Sequence, residues 1–256
     1  MTAPARPDLP LAGRTVLVTG ALGGLGAPIV DALVAAGARV AVHHLGQGPE
    51  ADRTVEALRG RGADAIAVQA DVTNWGQVEQ MVVEVERDLG PIDVLVNNAG
   101  FMAPGRLVEM TLEQWNRTID VDLTGVFLVS RHVLPGMLAR GSGVVINMSS
   151  QLAFKGAHDY TSYCAAKAGV VGLTRAMARE VGPVVRVNAI APGPIDTEFI
   201  KPWKTDEWVA ERTRDSVAGR LGRPDEIAPA VVFLASAGAS LLHGQTLHLN
   251  GGGVMA

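Results

Sequence analysis

The sequence predicts an α/β fold, a doubly wound parallel sheet of about seven strands with helices on both faces. Three observations carry this reading. Short β-branched apolar runs recur along the chain, each run is apolar throughout rather than alternating, and longer stretches of helical periodicity separate them. A strand that is apolar on both sides must be covered on both faces, as in parallel sheets, whose crossovers lay helices over the sheet. Right-handed crossovers then wind the helices onto both faces. No linker, repeat or low-complexity segment breaks the alternation, so residues 1–256 read as one domain.

The first strand is TVLVTG (15–20), and the helix behind it runs through PIVDALVAAG to a stop at Gly37. Residues 38–44 form the second strand and the polar EADRTVEALRGRG the second helix. Residues 64–71 are the third strand; VEQMVVEVERDLG then shows the apolar spacing of an amphipathic helix. Residues 92–100 are the fourth strand. A long helix is expected from about Leu112 to Leu138, bent near Pro135, which lacks an N–H and crowds the preceding turn. GVVINMSS (143–150) is the fifth strand, 161–182 the next helix and 184–193 the sixth strand. The stretch 196–223 holds Trp203 and Trp208 and has no strand character. EIAPAVVFLAS is a short helix and QTLHLNGG the last strand.

Composition excludes several classes. With 48% hydrophobic and 19% charged residues, the chain is neither disordered nor a solvating tail. A net charge of -4 without a Lys/Arg block argues against nucleic acid or an anionic membrane as partner. Cys164 is the single cysteine and cannot form an internal disulfide, which suits a reducing cytosol. The N-terminus is Pro-rich with Arg6 and Asp8 and lacks the apolar core of a secretion signal. No uninterrupted apolar run reaches the roughly 18 residues a membrane span requires. A cytoplasmic protein is expected.

The chemistry begins at TGALGGLG (19–26), between the first strand and the first helix. Gly20 permits the tight turn, Gly24 lets backbone approach a pyrophosphate, and Gly26 allows close helix packing, with Leu22, Gly23 and Leu25 completing the loop. The helix N-terminus supplies free N–H groups and partial positive charge for phosphates. A glycine-rich turn can be purely structural, but at the start of a βαβ unit it points to dinucleotide binding. No Lys-Ser/Thr pair follows the glycines, so nucleotide hydrolysis is not indicated. No metal site is expected.

Tyr163 and Lys167 lie four apart on a predicted helix and share a face. A free phenol has a pKa of about 10, and a nearby ammonium favours its ionised form. Such a pair can give a proton to an alkoxide or take one from an alcohol. The only other tyrosine, Tyr160, has no Lys at +4 and reads as a pocket or loop residue. Cys164 reads as a small packing residue, since no His is spaced to activate it.

TGxxxGxG, NNAG at 97–100, a serine ahead of Tyr-x-x-x-Lys, and PGPIDT at 192–197 together resemble the short-chain dehydrogenase/reductase family, in order and over nearly the whole chain. The resemblance implies an NAD(P)-dependent oxidoreductase of Rossmann-like fold, assembled as a homotetramer or homodimer, that moves a hydride between nicotinamide and a ketone or secondary alcohol. Tyr163 would be the acid/base and Lys167 would also hold the nicotinamide ribose. Ser150, thirteen residues before Tyr163, would bind the substrate oxygen, and neighbouring Ser149 would point to the opposite face. Asp71 would meet the adenine amino group, with Val72 beside it; Asn98, Ala99 and Gly100 would steady the sheet and line the ribose. Ile195 and Thr197, after Pro192 and Gly193, would hold the carboxamide. Asp71 and Thr197 could instead cap helices.

The chain departs from the family at Asp122, where the long helix usually carries an Asn that helps hold a proton-relay water. A working enzyme with a changed pH profile is one reading; a non-catalytic NAD(P)-binding regulatory protein is the alternative. Isomerase or epimerase chemistry on the same Tyr163–Lys167 pair is a third. The end of the second strand carries His43 and His44 and no carboxylate, so NADP(H) is favoured over NAD(H), the two histidines cradling a 2′-phosphate. His43 as a plain strand residue and His44 as a solvated turn residue is the simpler alternative. Substrate contacts are expected from Phe101, Met102, Gln151, Phe154, His158, Tyr160, Phe199 and Trp203, with 196–223 as a lid. Its tryptophans could equally be packing anchors, and His158 a loop hydrogen-bonder.

Overall fold

A computed structural model of the chain describes residues 9–255. Arg6 and Asp8 of the N-terminal stretch lie outside that range. The apolar runs become β1 (Thr15–Val18), β2 (Arg39–His44), β3 (Ala65–Gln69), β4 (Ile92–Asn97), β5 (Gly143–Met148), β6 (Val185–Pro192) and β7 (Thr246–Leu249). They pair in parallel in the order β3-β2-β1-β4-β5-β6-β7. Several strands stop short of the apolar runs. Thr19-Gly20, Asn98 to Gly100 and Ser149-Ser150 leave the ladder as loops at the C-terminal edge, where open α/β sheets bind ligands.

The helices are α1 (Gly26–Ala35), α2 (Gly48–Gly60), α3 (Trp75–Asp88), α4 (Leu112–Ile119), α5 (Gly125–Arg140), α6 (Leu152–Lys155), α7 (Thr161–Val181), α8 (Asp206–Thr213) and α9 (Ala228–Ala235). Strand alternation divides the core between the two faces. Val16, Val18, Val94 and Ile146 pack on Ile29 and Leu33 of α1 and on Val231 and Leu234 of α9. Leu17, Leu95 and Val145 meet Val78 and Met81 of α3 and Val133 and Met137 of α5. Each such side chain, removed from water, contributes roughly 1.5–3 kcal/mol.

The long helix deviates at a different place from the one its proline suggests. α5 runs through Pro135, whose position on an exposed face lets water take the carbonyl released one turn back. The irregularity is a π-helical turn, Asp120–Thr124, joining α4 to α5, and a widened turn of this kind re-aims side chains. Asp122 lies in it and is fully buried. By length and composition the stretch Leu112–Arg140 could cross a bilayer, but here Leu128, Val133 and Met137 bury it against the sheet.

The stretch 196–223 contains a helix that periodicity does not reveal, because no residue of α8 is fully buried. Its signal is local. Thr205 accepts the Trp208 N–H at 3.2 Å, and Asp206 and Glu207 occupy the positive end of the helix.

Candidate active site

The glycine loop lies where β1 hands over to α1. Gly20 has φ +62, and a Cβ there would press on Ala99 at 2.9 Å. A Cβ on Gly24 would stand 2.5 Å from the Thr197 Cβ, so this wall of the cavity must stay bare. Three side chains brace the loop. Asn98 Nδ2 donates to the Thr19 and Gly20 carbonyls, each at 3.0 Å. Thr19 Oγ1 accepts the N–H groups of Asn98 at 2.9 Å and Ala99 at 3.0 Å. His43 Nδ1 accepts the Gly20 N–H at 2.9 Å, so its Nε2 carries the proton and donates to the Ala70 carbonyl at 2.9 Å.

That bonding corrects the expectation for the histidine pair. Both His43 nitrogens are engaged with backbone, leaving none for a 2′-phosphate. Burial first, with His44 beside it, lowers the His43 pKa to about 4 against the opposing pull of Ala70 and Asp71. His44 is only 6% exposed, so it is not a solvated turn residue, and its Nδ1 has no partner. It lines the cavity and is the histidine available to a ligand.

Ser150, Tyr163, Lys167 and Asp122 come together in the same cavity, of about 390 Å3. Lys167 is 4% exposed; its Nζ donates to the Met148 carbonyl at 3.1 Å and lies 2.8 Å from Asp122 Oδ1. The other Asp122 oxygen accepts the Phe101 N–H at 2.9 Å. Asp122 thus meets the lysine directly. Burial raises the Asp122 pKa, opposed by Lys167 and the Phe101 N–H. For Lys167 burial acts downward, but Asp122 and Tyr163 outweigh it and hold the ammonium above its ordinary range. The ammonium stands 5.6 Å from the Tyr163 ring centre. Burial raises the phenol and Asp122 adds to that, while Lys167 and the Ser150 hydroxyl pull it down; the balance is upward.

The two serines separate as alternation requires. Ser149 Oγ donates to the Lys167 carbonyl at 2.9 Å and so anchors α7 to β5. Ser150 Oγ accepts the Leu152 N–H at 3.1 Å and lines the same cavity as Tyr163. Burial pushes the Cys164 thiol up, away from a reactive thiolate.

The cavity wall also contains Leu22, Gly23, Leu25, Asp71, Val72, Gly100, Pro192, Gly193, Ile195 and Thr197. Asp71 accepts from the Thr73 N–H and hydroxyl, whereas the cap of α3 is Asn74, which takes the Gln77 N–H at 3.1 Å. Thr197 caps no helix; its hydroxyl turns back to the Ile195 carbonyl at 3.4 Å. Of the expected substrate contacts, Met102, Gln151, Tyr160 and Phe199 line the cavity. Four others lie outside its wall. His158 has an 80% exposed side chain beside Asp159, Phe154 packs edge-on to His248, and Phe101 lies under the Arg117 guanidinium. Trp203 sits in a turn ahead of α8, and Trp208, one helical turn into the fold, takes the place expected of it. Arg212, four residues further on, is a wall residue that the sequence reading missed. Its i, i+4 relation to Trp208 behind a Thr-Asp-Glu helix start was the available signal.

A nicotinamide dinucleotide fits this cavity on three structural grounds. The glycine wall admits no Cβ at Gly24, α1 begins without a side-chain cap, and His44 Nδ1 and Gln151 Oε1 are buried without partners. Among the described residues, no three His, Cys, Asp or Glu side chains are grouped to hold a metal ion.

Comparison with known proteins agrees with the geometry. Residues 20–253 match the family model described as Enoyl-(Acyl carrier protein) reductase. The chain is 42% identical to Nodulation protein G of Azospirillum brasilense over 241 residues, covering 93% of this chain and 97% of that protein. It is 39% identical to the 3-oxoacyl-(acyl-carrier-protein) reductase FabG of Staphylococcus aureus over 240 residues, covering 93% and 97%. A solved structure of gluconate 5-dehydrogenase from Burkholderia cenocepacia, in complex with NADP and tartrate, superposes with a TM-score of 0.91 at 32% identity, covering 95% of this chain and 96% of that one. With its motifs folded into one cavity, the chain belongs to the short-chain dehydrogenase/reductase family of NAD(P)-dependent oxidoreductases.

Proposed function

We propose that the protein is an NADP(H)-dependent reductase of ketones, or dehydrogenase of secondary alcohols, with Tyr163 as its acid/base. The observation that carries this is the convergence of Ser150, Tyr163 and the Asp122-paired Lys167 beside a glycine loop that excludes side chains. When bound, the nicotinamide supplies or accepts the hydride. Tyr163 gives its hydroxyl proton to the substrate oxygen as that oxygen becomes an alkoxide, and takes it back in the reverse direction. Ser150 donates to the same oxygen and stabilises its growing charge. Lys167 favours the phenolate and would also hold the nicotinamide ribose. Asp122 keeps Lys167 charged despite its burial.

NADP(H) is supported by the lack of a carboxylate at the end of β2, by the free His44 Nδ1 and by the NADP in the Burkholderia cenocepacia structure. Asp71 and Val72 would take the adenine, Ala99 and Gly100 the ribose, and Ile195 and Thr197 the carboxamide. A non-catalytic nucleotide-binding regulator is not favoured, since such a protein has no use for the assembled serine, tyrosine and lysine. The rest of the reading is a single cytoplasmic domain with 196–223 over its small-molecule site, assembled as a homodimer or homotetramer. The exposed Leu112, Phe127 and Leu138 along α4 and α5 support an assembly.

NADPH oxidation against a ketone panel tests this. Tyr163→Phe should lower turnover by at least about 100-fold while NADPH still binds. Surviving turnover would refute the assignment of Tyr163, and a tenfold preference for NADH the assignment of NADP(H).

A further inference from the structure

The charged groups of the cavity wall are unevenly matched. Lys167 is neutralised by Asp122, and Asp71 accepts from the Thr73 N–H and hydroxyl. Arg212 has no such partner. Its guanidinium carbon lies 4.9 Å from the centre of the Tyr160 ring and 5.5 Å from a ring of Trp208. Its nearest carboxylate is Glu211, at 3.8 Å and 56% exposed, while the arginine side chain is only 16% exposed. On the same helix turn Trp208 Nε1 is buried with no acceptor. Trp208, Arg212 and Tyr160 line the same cavity as Ser150 and Tyr163.

Two aromatic faces hold a guanidinium by cation–π attraction and leave its N–H edge free to match a carboxylate. A buried indole N–H without an acceptor is a cost that a ligand oxygen removes. Both groups are donors only, one of them charged. We propose that Arg212 and Trp208 bind a carboxylate carried by the substrate, so that the protein acts on oxo acids and their hydroxy acids as anions; this rests on the reductase reading above. Tyr160 is the positioning residue that fixes the guanidinium, three residues before the acid/base. The site favours a carboxylate over a phosphate dianion because Glu211, 3.8 Å from the guanidinium, would repel a second charge. A neutral ketone leaves the donors unmatched, and a site built of such groups discriminates strongly against ligands lacking the acceptor.

The test compares 4-oxopentanoate with its methyl ester, and acetoacetate with its N-acetylcysteamine thioester, using NADPH. In the unmodified protein kcat/KM for the acid should exceed that for the ester by about 30-fold or more, mostly through KM. Arg212→Met should bring this ratio within about threefold of unity, and Trp208→Phe, which keeps an aromatic face but removes the N–H, should lower it by about 5-fold. Calorimetric titration of the NADP-loaded protein with pentanoate, which cannot be reduced, should show binding that Arg212→Met abolishes. An acid-to-ester ratio equal in both proteins, a preference for the ester or thioester, or pentanoate binding unchanged in Arg212→Met overturns the carboxylate site. If no ketone is reduced yet pentanoate binds through Arg212, the site stands and the reductase reading falls.

Discussion

Acidification should weaken this protein through one histidine that holds the glycine loop. His43 is 2% exposed, accepts the Gly20 N–H on Nδ1 and donates Nε2–H to Ala70. Its pKa drops from 6.5 to about 4, chiefly through burial. A proton on Nδ1 would turn the acceptor into a donor facing Gly20. Because the folded pKa is depressed, the unfolded chain binds the proton first. The stabilisation is therefore complete above about pH 6.5 and is lost as pH falls towards 4. At about 1.4 kcal/mol per pK unit, the loss relative to neutral pH amounts to about 1.4 kcal/mol at pH 5.5 and about 2.6 kcal/mol at pH 4.5. His43→Asn keeps an acceptor for Gly20 but cannot titrate; it should cost about 1–3 kcal/mol at pH 7.5 through the unpaired Ala70 carbonyl. Urea unfolding followed by tryptophan fluorescence, at four pH values from 7.5 to 4.5, gives both curves. The gap between the proteins should close by about 2–3 kcal/mol on acidification. Parallel curves would refute the assignment of a neutral, loop-holding His43.

Two further perturbations address the cavity. Gly24→Ala drives a Cβ into Thr197, with overpacking of about 1–3 kcal/mol; NADPH affinity, read from bound-cofactor fluorescence, should fall about tenfold or more, and an unchanged Kd would remove Gly24 from the cofactor wall. Asp122→Asn removes a charge that raises both Tyr163 and Lys167, so the pH profile of alcohol oxidation should move to lower pH. Loss of one partner of a buried pair should also lower stability by up to roughly 3–5 kcal/mol, visible in thermal unfolding. If rate, pH profile and stability all stay put, Asp122 has no part in the proton chemistry.

Much of the molecule is legible from local rules. Strand and helix order follows from apolar runs and periodicity, since parallel strands must be apolar on both faces. Tyr163 and Lys167 share a face because they lie four apart, and Ser149 and Ser150 part because they are adjacent. The buried Asn97–Asn147 pair, with Nδ2 to Oδ1 at 2.8 Å, joins β4 to β5 at equal register and has no local signature. The same holds for Thr19 and Asn98, which meet only because β1 and β4 are neighbours.

The sequence by itself determined the layered fold, the edge of the sheet that carries the site, and the shared helix face of Tyr163 and Lys167. All three rest on spacing along one element or on the order of elements. Only the tertiary structure decided that Asp122 meets Lys167 directly across a π turn, that both His43 nitrogens are taken by backbone, and that Trp208 and Arg212, rather than Trp203 and His158, reach the cavity. Those outcomes depend on burial and on partners 20 or more residues away, and no spacing rule within a single element carries that information.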